Sequence, residues 1–405
     1  MQQNLSYQKY QADYLFTGTS LLDQNQVLIT DQKGVIVDIV NEKDAGGDIQ
    51  QFKGMLSPGL INCHCHLELS HMKGLLPERT GLIDFVFSVV TQRHFPEEEI
   101  LEAISNAEDE MITNGIVAVG DICNNTLTLP QKSKRRLAYY NFMEVSGWMP
   151  QIASVRFQKA KENFNAFSRL ASDNEWDSPQ QSLSPHAPYS VSNKLWELLT
   201  PYFRNKSITI HNQETAFEDD LFKSGTGDFI RMYEMMKMDL SFFTPTGKSS
   251  LQSYLPKLIG AKNVLLVHNT FIKEKDIQAI NIYAQQHGVK FFFCLCPRAN
   301  SFIENALPPI ELLRQQKCSI TIGTDSLASN WGLNILEELK TIKQHFPPIP
   351  TFELLQWATI NGAKALQMDT KLGSFETGKQ PGIVWIDGLR EGEITTDSLI
   401  KRVVL

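Results

Sequence analysis

The sequence predicts an α/β chain built as a (β/α)8 TIM barrel, with a small flanking β domain formed from both chain ends. Three observations lead there. Eight short apolar segments alternate with amphipathic helical stretches through the middle of the chain. Strand-like segments without intervening helices lie on either side of that region. The histidines and acids that carry chemistry fall at the ends of the eight segments, the face where such barrels build their sites.

The first part of the small β domain spans residues 1–54. Val27-Leu28-Ile29 and the run from Val35 to Val40 read as strands, parted by the turn residues Asp31 to Gly34. The barrel is expected over residues 55–370. Its strands are predicted at 55–63, 116–122, 137–145, 181–184, 207–210, 264–267, 290–294 and 319–322. Pro96 followed by Glu97, Glu98 and Glu99 marks a helix start, with an apolar face running from Ile100 to Ile112. Asn334 to His345 makes another helix after the eighth strand. Residues 371–405 return to turn and strand, with Ile383 to Ile386 and Ile400 to Leu405 completing the small domain.

Composition narrows the function. Of 405 residues, 42% are hydrophobic and 20% charged, an ordinary globular balance. A net charge of -7 disfavours nucleic acid as a partner. Met1 to Asp13 lacks the apolar stretch of a signal peptide, and no run approaches the roughly 18 apolar residues that span a bilayer. No membrane association is therefore expected. Six cysteines are too few for a disulfide scaffold and fit a reducing cytoplasm. Cys63/Cys65 and Cys294/Cys296 are C-x-C pairs, closer than zinc-site spacing, and read as strand residues.

Four strand ends carry the chemistry. His64 and His66 are two apart on a strand and so point the same way, as two ligands of one metal do. A pair of polar residues ending a strand is the competing reading. His211 ends the fifth strand and completes a three-histidine face, with Glu214 a few residues into the loop. A carboxylate there can take a proton from an activated water and return it, although a surface glutamate is common. His268 follows four apolar residues and fits either a core histidine or a site residue. Asp325, in Gly323-Thr324-Asp325-Ser326, is a buried carboxylate that needs a partner or a metal, with a helix N-cap as the alternative.

Several segments together resemble the amidohydrolase superfamily. They are Pro58-Gly59-Leu60-Ile61-Asn62-Cys63-His64-Cys65-His66-Leu67, Ser184-Pro185-His186-Ala187-Pro188-Tyr189, His211-Asn212-Gln213-Glu214, Cys296-Pro297-Arg298-Ala299-Asn300 and Gly323-Thr324-Asp325-Ser326. They are most similar to its branch of cytosine-, guanine- and adenosyl-compound deaminases and chlorohydrolases. The tail from Gly373 to Lys379 belongs to the likeness too, although Pro381-Gly382 replaces the usual Ala-Asp.

The resemblance implies one divalent metal held by His64, His66, His211 and Asp325. It implies Glu214 and His268 as the proton-handling pair, Asp325 as an aid to the departing ammonia, and His186 as a residue facing substrate. Relatives with two metals carry a lysine on the fourth strand, where this chain has Ser182, Leu183 and Ser184. Three histidines and a carboxylate suit Zn2+, and Fe2+ accepts the same ligands. Within the branch, His66-Leu67-Glu68-Leu69-Ser70 resembles aminodeoxyfutalosine deaminases of an alternative menaquinone route. Glu68 then contacts ribose or a ring nitrogen, or supports a histidine from behind. Arg298 meets a substrate carboxylate or pairs with a helix acid.

The activity these readings imply is hydrolytic deamination of an aminated purine-like nucleoside or base, a small heterocyclic substrate. The same chemistry aimed at a ring amide or a C–Cl bond is the second reading. A non-catalytic binding protein on the same fold is the third. Specificity falls to loops carrying Arg79, Glu144 and Tyr189, and a homodimer is an open assembly state.

Overall fold

The computed structural model describes residues 7–170 and 180–404. Strands β1 (Gln8–Phe16), β2 (Leu21–Leu22), β3 (Gln26–Thr30), β4 (Ile36–Asn41) and β5 (Ile49–Pro58) come first. The barrel strands follow: β6 (Leu60–Cys65), β7 (Ile116–Cys123), β8 (Ala138–Val145), β9 (Gln180–Pro185), β10 (Ser207–Asn212), β11 (Asn263–His268), β12 (Lys290–Leu295) and β13 (Ile320–Ile322). Strands β14 (Ile383–Asp387) and β15 (Leu399–Val404) close the chain. Leu405, which the sequence reading places in the last strand, and residues 1–6 of the N-terminal stretch lie outside the described residues.

Both chain ends share one sheet, in the order β15-β14-β5-β1-β3-β4, with β2 beside β1. Two of its strands escaped the sequence reading. β1 is rich in Gln, Lys and Tyr, which hid it. Gln11 is nevertheless buried, because its amide donates to the Gln24 carbonyl (2.8 Å) and accepts from the Gln51 side chain (3.2 Å). The predicted strand 55–63 is in fact two strands. Its first half continues β5 against β1 and β14, and its second half is β6 of the barrel. Gly59 marks the division. A Cβ there would lie 2.2 Å from Val117 Cγ1 and 2.8 Å from the Pro381 carbonyl, so only glycine lets the chain pass from sheet to barrel.

The barrel consists of two parallel arcs, β6-β7-β8-β9 and β10-β11-β12-β13. They join at two seams, and both seams carry site histidines. Between β9 and β10, the His211 N–H donates to the His186 carbonyl at 2.9 Å, and the Thr209 N–H to the Ser184 hydroxyl at 3.3 Å. Between β13 and β6, the Thr324 and Asp325 N–H groups donate to the His64 carbonyl at 3.1 and 3.0 Å. Gly323 permits that second seam, since a Cβ would lie 2.8 Å from His64 Cβ.

Helices follow the strands as the pattern predicts. Glu97–Thr113 starts after Pro96 with three glutamates in its first turn, where the helix dipole favours negative charge. Ile335–His345 is capped by the Asn334 side chain, which accepts the Glu337 N–H at 3.3 Å. One apolar cluster lies between strands and helices and includes Ile104, Met111, Ile208, Leu266 and Leu339. A second contains Ile61, Phe142, Leu265 and Phe292 and packs against Ala363 and Leu366. All six cysteines are free. Among the described residues, no helix is long and apolar enough to cross a membrane.

Candidate metal and proton-transfer site

His64, His66 and His211 converge from the first and fifth barrel strands. Their ligand-capable ring nitrogens lie within 4.8 Å of one another. Asp325 reaches in from the eighth strand, with Oδ1 3.6 Å from His64 Nε2 and 3.4 Å from His66 Nε2. Its other oxygen accepts the Ser329 hydroxyl at 2.7 Å. Asp325 is not a helix cap, because Asn334 holds that position. The Asp325 backbone sits at φ 59, an uncommon conformation for a non-glycine residue that often marks functional sites.

These residues fit a divalent metal. Both ring nitrogens of His64 are buried and have no hydrogen-bond partner among the described residues, a costly state for a polar group unless something binds there. His211 Nδ1 faces the His186 carbonyl at 2.8 Å, which places its proton on Nδ1 and frees Nε2. Burial holds the His66 and His211 imidazoles below their ordinary pKa, so they are neutral and ready to coordinate. Although burial opposes it, the neighbouring imidazoles keep Asp325 well below the usual carboxylate range.

Beside this set, Glu214 Oε1 stands 3.5 Å from His268 Nε2. Burial pushes the Glu214 carboxyl well above its usual pKa, and the carboxylates of Asp325, Glu304 and Glu218 add to that push. Such a shift favours the protonated form and is common where a carboxyl handles protons. Burial drives the His268 imidazole down to about 3. Its Nδ1 lies 3.4 Å from the Asn300 carboxamide, which in turn donates to Thr270 at 2.6 Å.

The remaining predicted residues divide. His186 belongs to the site, with ring centroid 4.8 Å from that of His211 and Nδ1 2.7 Å from the Ser190 hydroxyl. Glu144 is 3.8 Å from His211 Nδ1 and accepts from the Asn124 side chain at 2.9 Å. Tyr189 stacks on Phe229 at 4.1 Å, and Arg79 is exposed. Glu68 is engaged by protein: one oxygen accepts the N–H groups of Asn124 and Asn125 at 3.0 and 3.2 Å, and burial raises its carboxyl to about 7. These bonds make it an anchor of the loop after β7. Arg298 has a helix acid within reach. It donates to Asn330 at 3.1 Å, lies 3.5 Å from Glu337 and covers the Trp331 ring.

Sequence reasoning missed the supports. Glu338 is one: it accepts the Arg298 N–H at 2.9 Å and the Asn330 amide at 2.7 Å, bracing the loop that carries Asp325. Burial pushes its carboxyl up to about 8, against about 4.3 in an unfolded chain. Between those values the folded protein holds a proton the unfolded chain has released, so this group's contribution to stability falls as pH rises through that window. Glu338→Gln should remove the slope. Denaturant unfolding at pH 5 and pH 8 should show wild type losing ground to the variant at the higher pH. A pH-independent difference between the two would contradict the buried, protonated acid.

A family model described as the amidohydrolase family matches residues 55–403. The aminodeoxyfutalosine deaminase of a Nitratiruptor species is 27% identical over 364 residues, covering 87% of this chain and 83% of the relative. The 5-methylthioadenosine/S-adenosylhomocysteine deaminase of Teredinibacter turnerae is 25% identical over 352 residues, covering 82% and 72%. Among solved structures, Helicobacter pylori aminofutalosine deaminase in complex with methylthio-coformycin superimposes with a TM-score of 0.79 at 22% identity, covering 98% of this chain and 100% of that one. The atrazine chlorohydrolase of Arthrobacter aurescens TC1 complexed with zinc gives 0.69 at 17% identity, covering 93% and 86%. Taken with the barrel and the residues at its strand ends, the family match shows that this chain belongs to the amidohydrolase family.

Proposed function

We propose that this protein is a metal-dependent hydrolytic deaminase of aminated purine nucleosides or bases, with aminodeoxyfutalosine as the foremost candidate substrate. One observation carries the reading: Glu214 and His268, 3.5 Å apart, stand beside three convergent imidazoles and the Asp325 carboxylate. Two relatives named as deaminases of adenosyl-type compounds support the substrate class.

His64, His66, His211 and Asp325 hold one divalent cation, and the zinc in a structural neighbour favours Zn2+. Such an ion supplies a Lewis acid that lowers the pKa of a water from 15.7 toward about 7. Glu214 takes the proton of the attacking water and delivers it to the ring nitrogen next to the reacting carbon. His268 steadies the oxygen as negative charge develops on it. Asp325 takes the second proton of the attacking water from the new hydroxyl and passes it to the departing amine, so the C–N bond breaks, ammonia leaves and a ring carbonyl remains. The raised pKa of Glu214 suits a group that must both hold and release a proton. On the fourth strand, Ser182 and Ser184 face each other at 3.3 Å where relatives with two metals carry a lysine, which supports a single ion.

An ammonia-release screen over aminodeoxyfutalosine, 5'-methylthioadenosine, adenosine and adenine tests the reading. Ammonia from none of them, with turnover of a ring amide or a C–Cl bond, would overturn it. Chelation gives a second test. Removing the ion leaves His64 and its neighbours buried without partners, so turnover should vanish and the melting temperature should fall. A chelated protein that keeps both contradicts the ligand set.

A further inference from the structure

The Glu214 carboxylate makes no side-chain hydrogen bond among the described residues, and the His268 imidazole stands 3.5 Å away. Its position is therefore set by its backbone. That backbone follows a strained turn: Gln213, the residue before it, has φ 44. A non-glycine residue in that region is strained and persists only where its surroundings enforce it.

Glu218 does the enforcing. Its side chain is fully buried at the start of the helix Glu218–Ser224. Oε1 accepts the Gln213 N–H at 3.1 Å and the Ser250 hydroxyl at 2.6 Å. Oε2 accepts the Glu214 N–H at 3.3 Å. One carboxylate thus holds both peptide N–H groups of the segment that projects Glu214. Gln213 is tied down elsewhere too: its side chain donates to Asp276 at 2.9 Å and Asp219 at 3.3 Å, and its carbonyl accepts the Phe271 N–H at 2.9 Å. Phe271 therefore holds the carbonyl side of the Gln213–Glu214 peptide, and among the described residues only Glu218 holds its N–H side. Burial raises the Glu218 carboxyl to about 7, and the three donors pull against that rise because they favour its charged form.

We propose that Glu218 is the positioning residue of Glu214: it fixes the Gln213–Glu214 peptide so that the Glu214 carboxylate stands beside His268 and the metal-binding face. The inference rests on the proton role assigned to Glu214 under the proposed function. It assigns Glu218 no contact with substrate or metal.

Glu218→Gln keeps the shape and replaces one acceptor oxygen by an NH2, so one of the three donors loses its partner. We expect kcat for ammonia release to fall about 10–100-fold, since misplacement of a reacting group by about 1 Å costs about 10²-fold. KM should stay within about twofold and metal content unchanged. The decisive arm is the double variant. In a Glu214→Gln background, Glu218→Gln should change the residual rate by less than about twofold, because the group it positions is gone. A residue that merely holds the fold together would lower both backgrounds by the same factor, and that result overturns the proposal. So does wild-type kcat in Glu218→Gln. If that variant fails to fold, Ser250→Ala carries the test. It removes the 2.6 Å hydroxyl contact that steadies the clamp, so kcat should fall about two- to fivefold. An unchanged kcat there overturns the proposal. Wild-type protein that releases no ammonia from any aminopurine removes the proposed function and this inference together, and that failure is recognised because wild type itself is inactive.

Discussion

Glu214→Gln is expected to keep metal at the wild-type level and to lower kcat by about 10²–10⁴-fold, the usual worth of general acid–base catalysis. The substitution preserves size and shape. It removes the one property that matters here, because an amide cannot receive and return a proton. Metal should be retained, because the convergent donors are His64, His66, His211 and Asp325. The high proton affinity of Glu214 comes from burial first and from three nearby carboxylates second, so no water or neighbouring side chain replaces it cheaply. Metal analysis and ammonia release measured on the same preparation check both halves. Wild-type turnover would remove Glu214 from proton transfer, and lost metal would make it a ligand.

Lys132→Met is expected to destabilise the fold by about 3–5 kcal/mol, the cost of leaving one member of a buried ion pair without the other. Lys132 Nζ is 2.5 Å from Asp121 Oδ2 and 2.7 Å from Asn141 Oδ1, and the side chains of Lys132 and Asp121 are 1% and 0% exposed. Methionine of similar length fills the space without a charge, so the loss reports the stranded Asp121 carboxylate. The pair lies directly behind the site. Asp121 Oδ1 accepts the Leu67 N–H at 2.9 Å, one residue beyond His66, so a displaced Asp121 should also weaken metal binding. Asp121→Asn combined with Lys132→Met should recover part of the stability, because no buried charge then lacks a partner. Denaturant unfolding gives both numbers. A loss below about 1 kcal/mol for Lys132→Met would mean that water or another cation reaches Asp121.

Much of the barrel was legible because burial on both faces leaves continuous apolar runs, as in Val264-Leu265-Leu266-Val267, and a histidine ending such a run stands out. The helix Glu97–Thr113 was legible because its start, acidic first turn and apolar stripe are local features. Strand β1 was not, since Gln11 looks like a surface residue until the partners that satisfy it are known. The break at Gly59 was also hidden, because it depends on how near Val117 and Pro381 approach.

The sequence alone determined where the histidines and acids fall along the chain. Strand periodicity and strand-end position are local, and they carried His64, His66, His211, Glu214, His268 and Asp325 to one face. Only the tertiary structure decided what each remaining polar residue serves. Glu68 went to the N–H groups of the loop after β7, Arg298 to Asn330 and Glu337, and Glu218 to the peptide of Glu214. The physical reason is that a buried polar group must be paired, and its partner is chosen by proximity in space. Asn62 and Thr324 make the point: they bond at 2.7 Å, and 262 positions of sequence separate them.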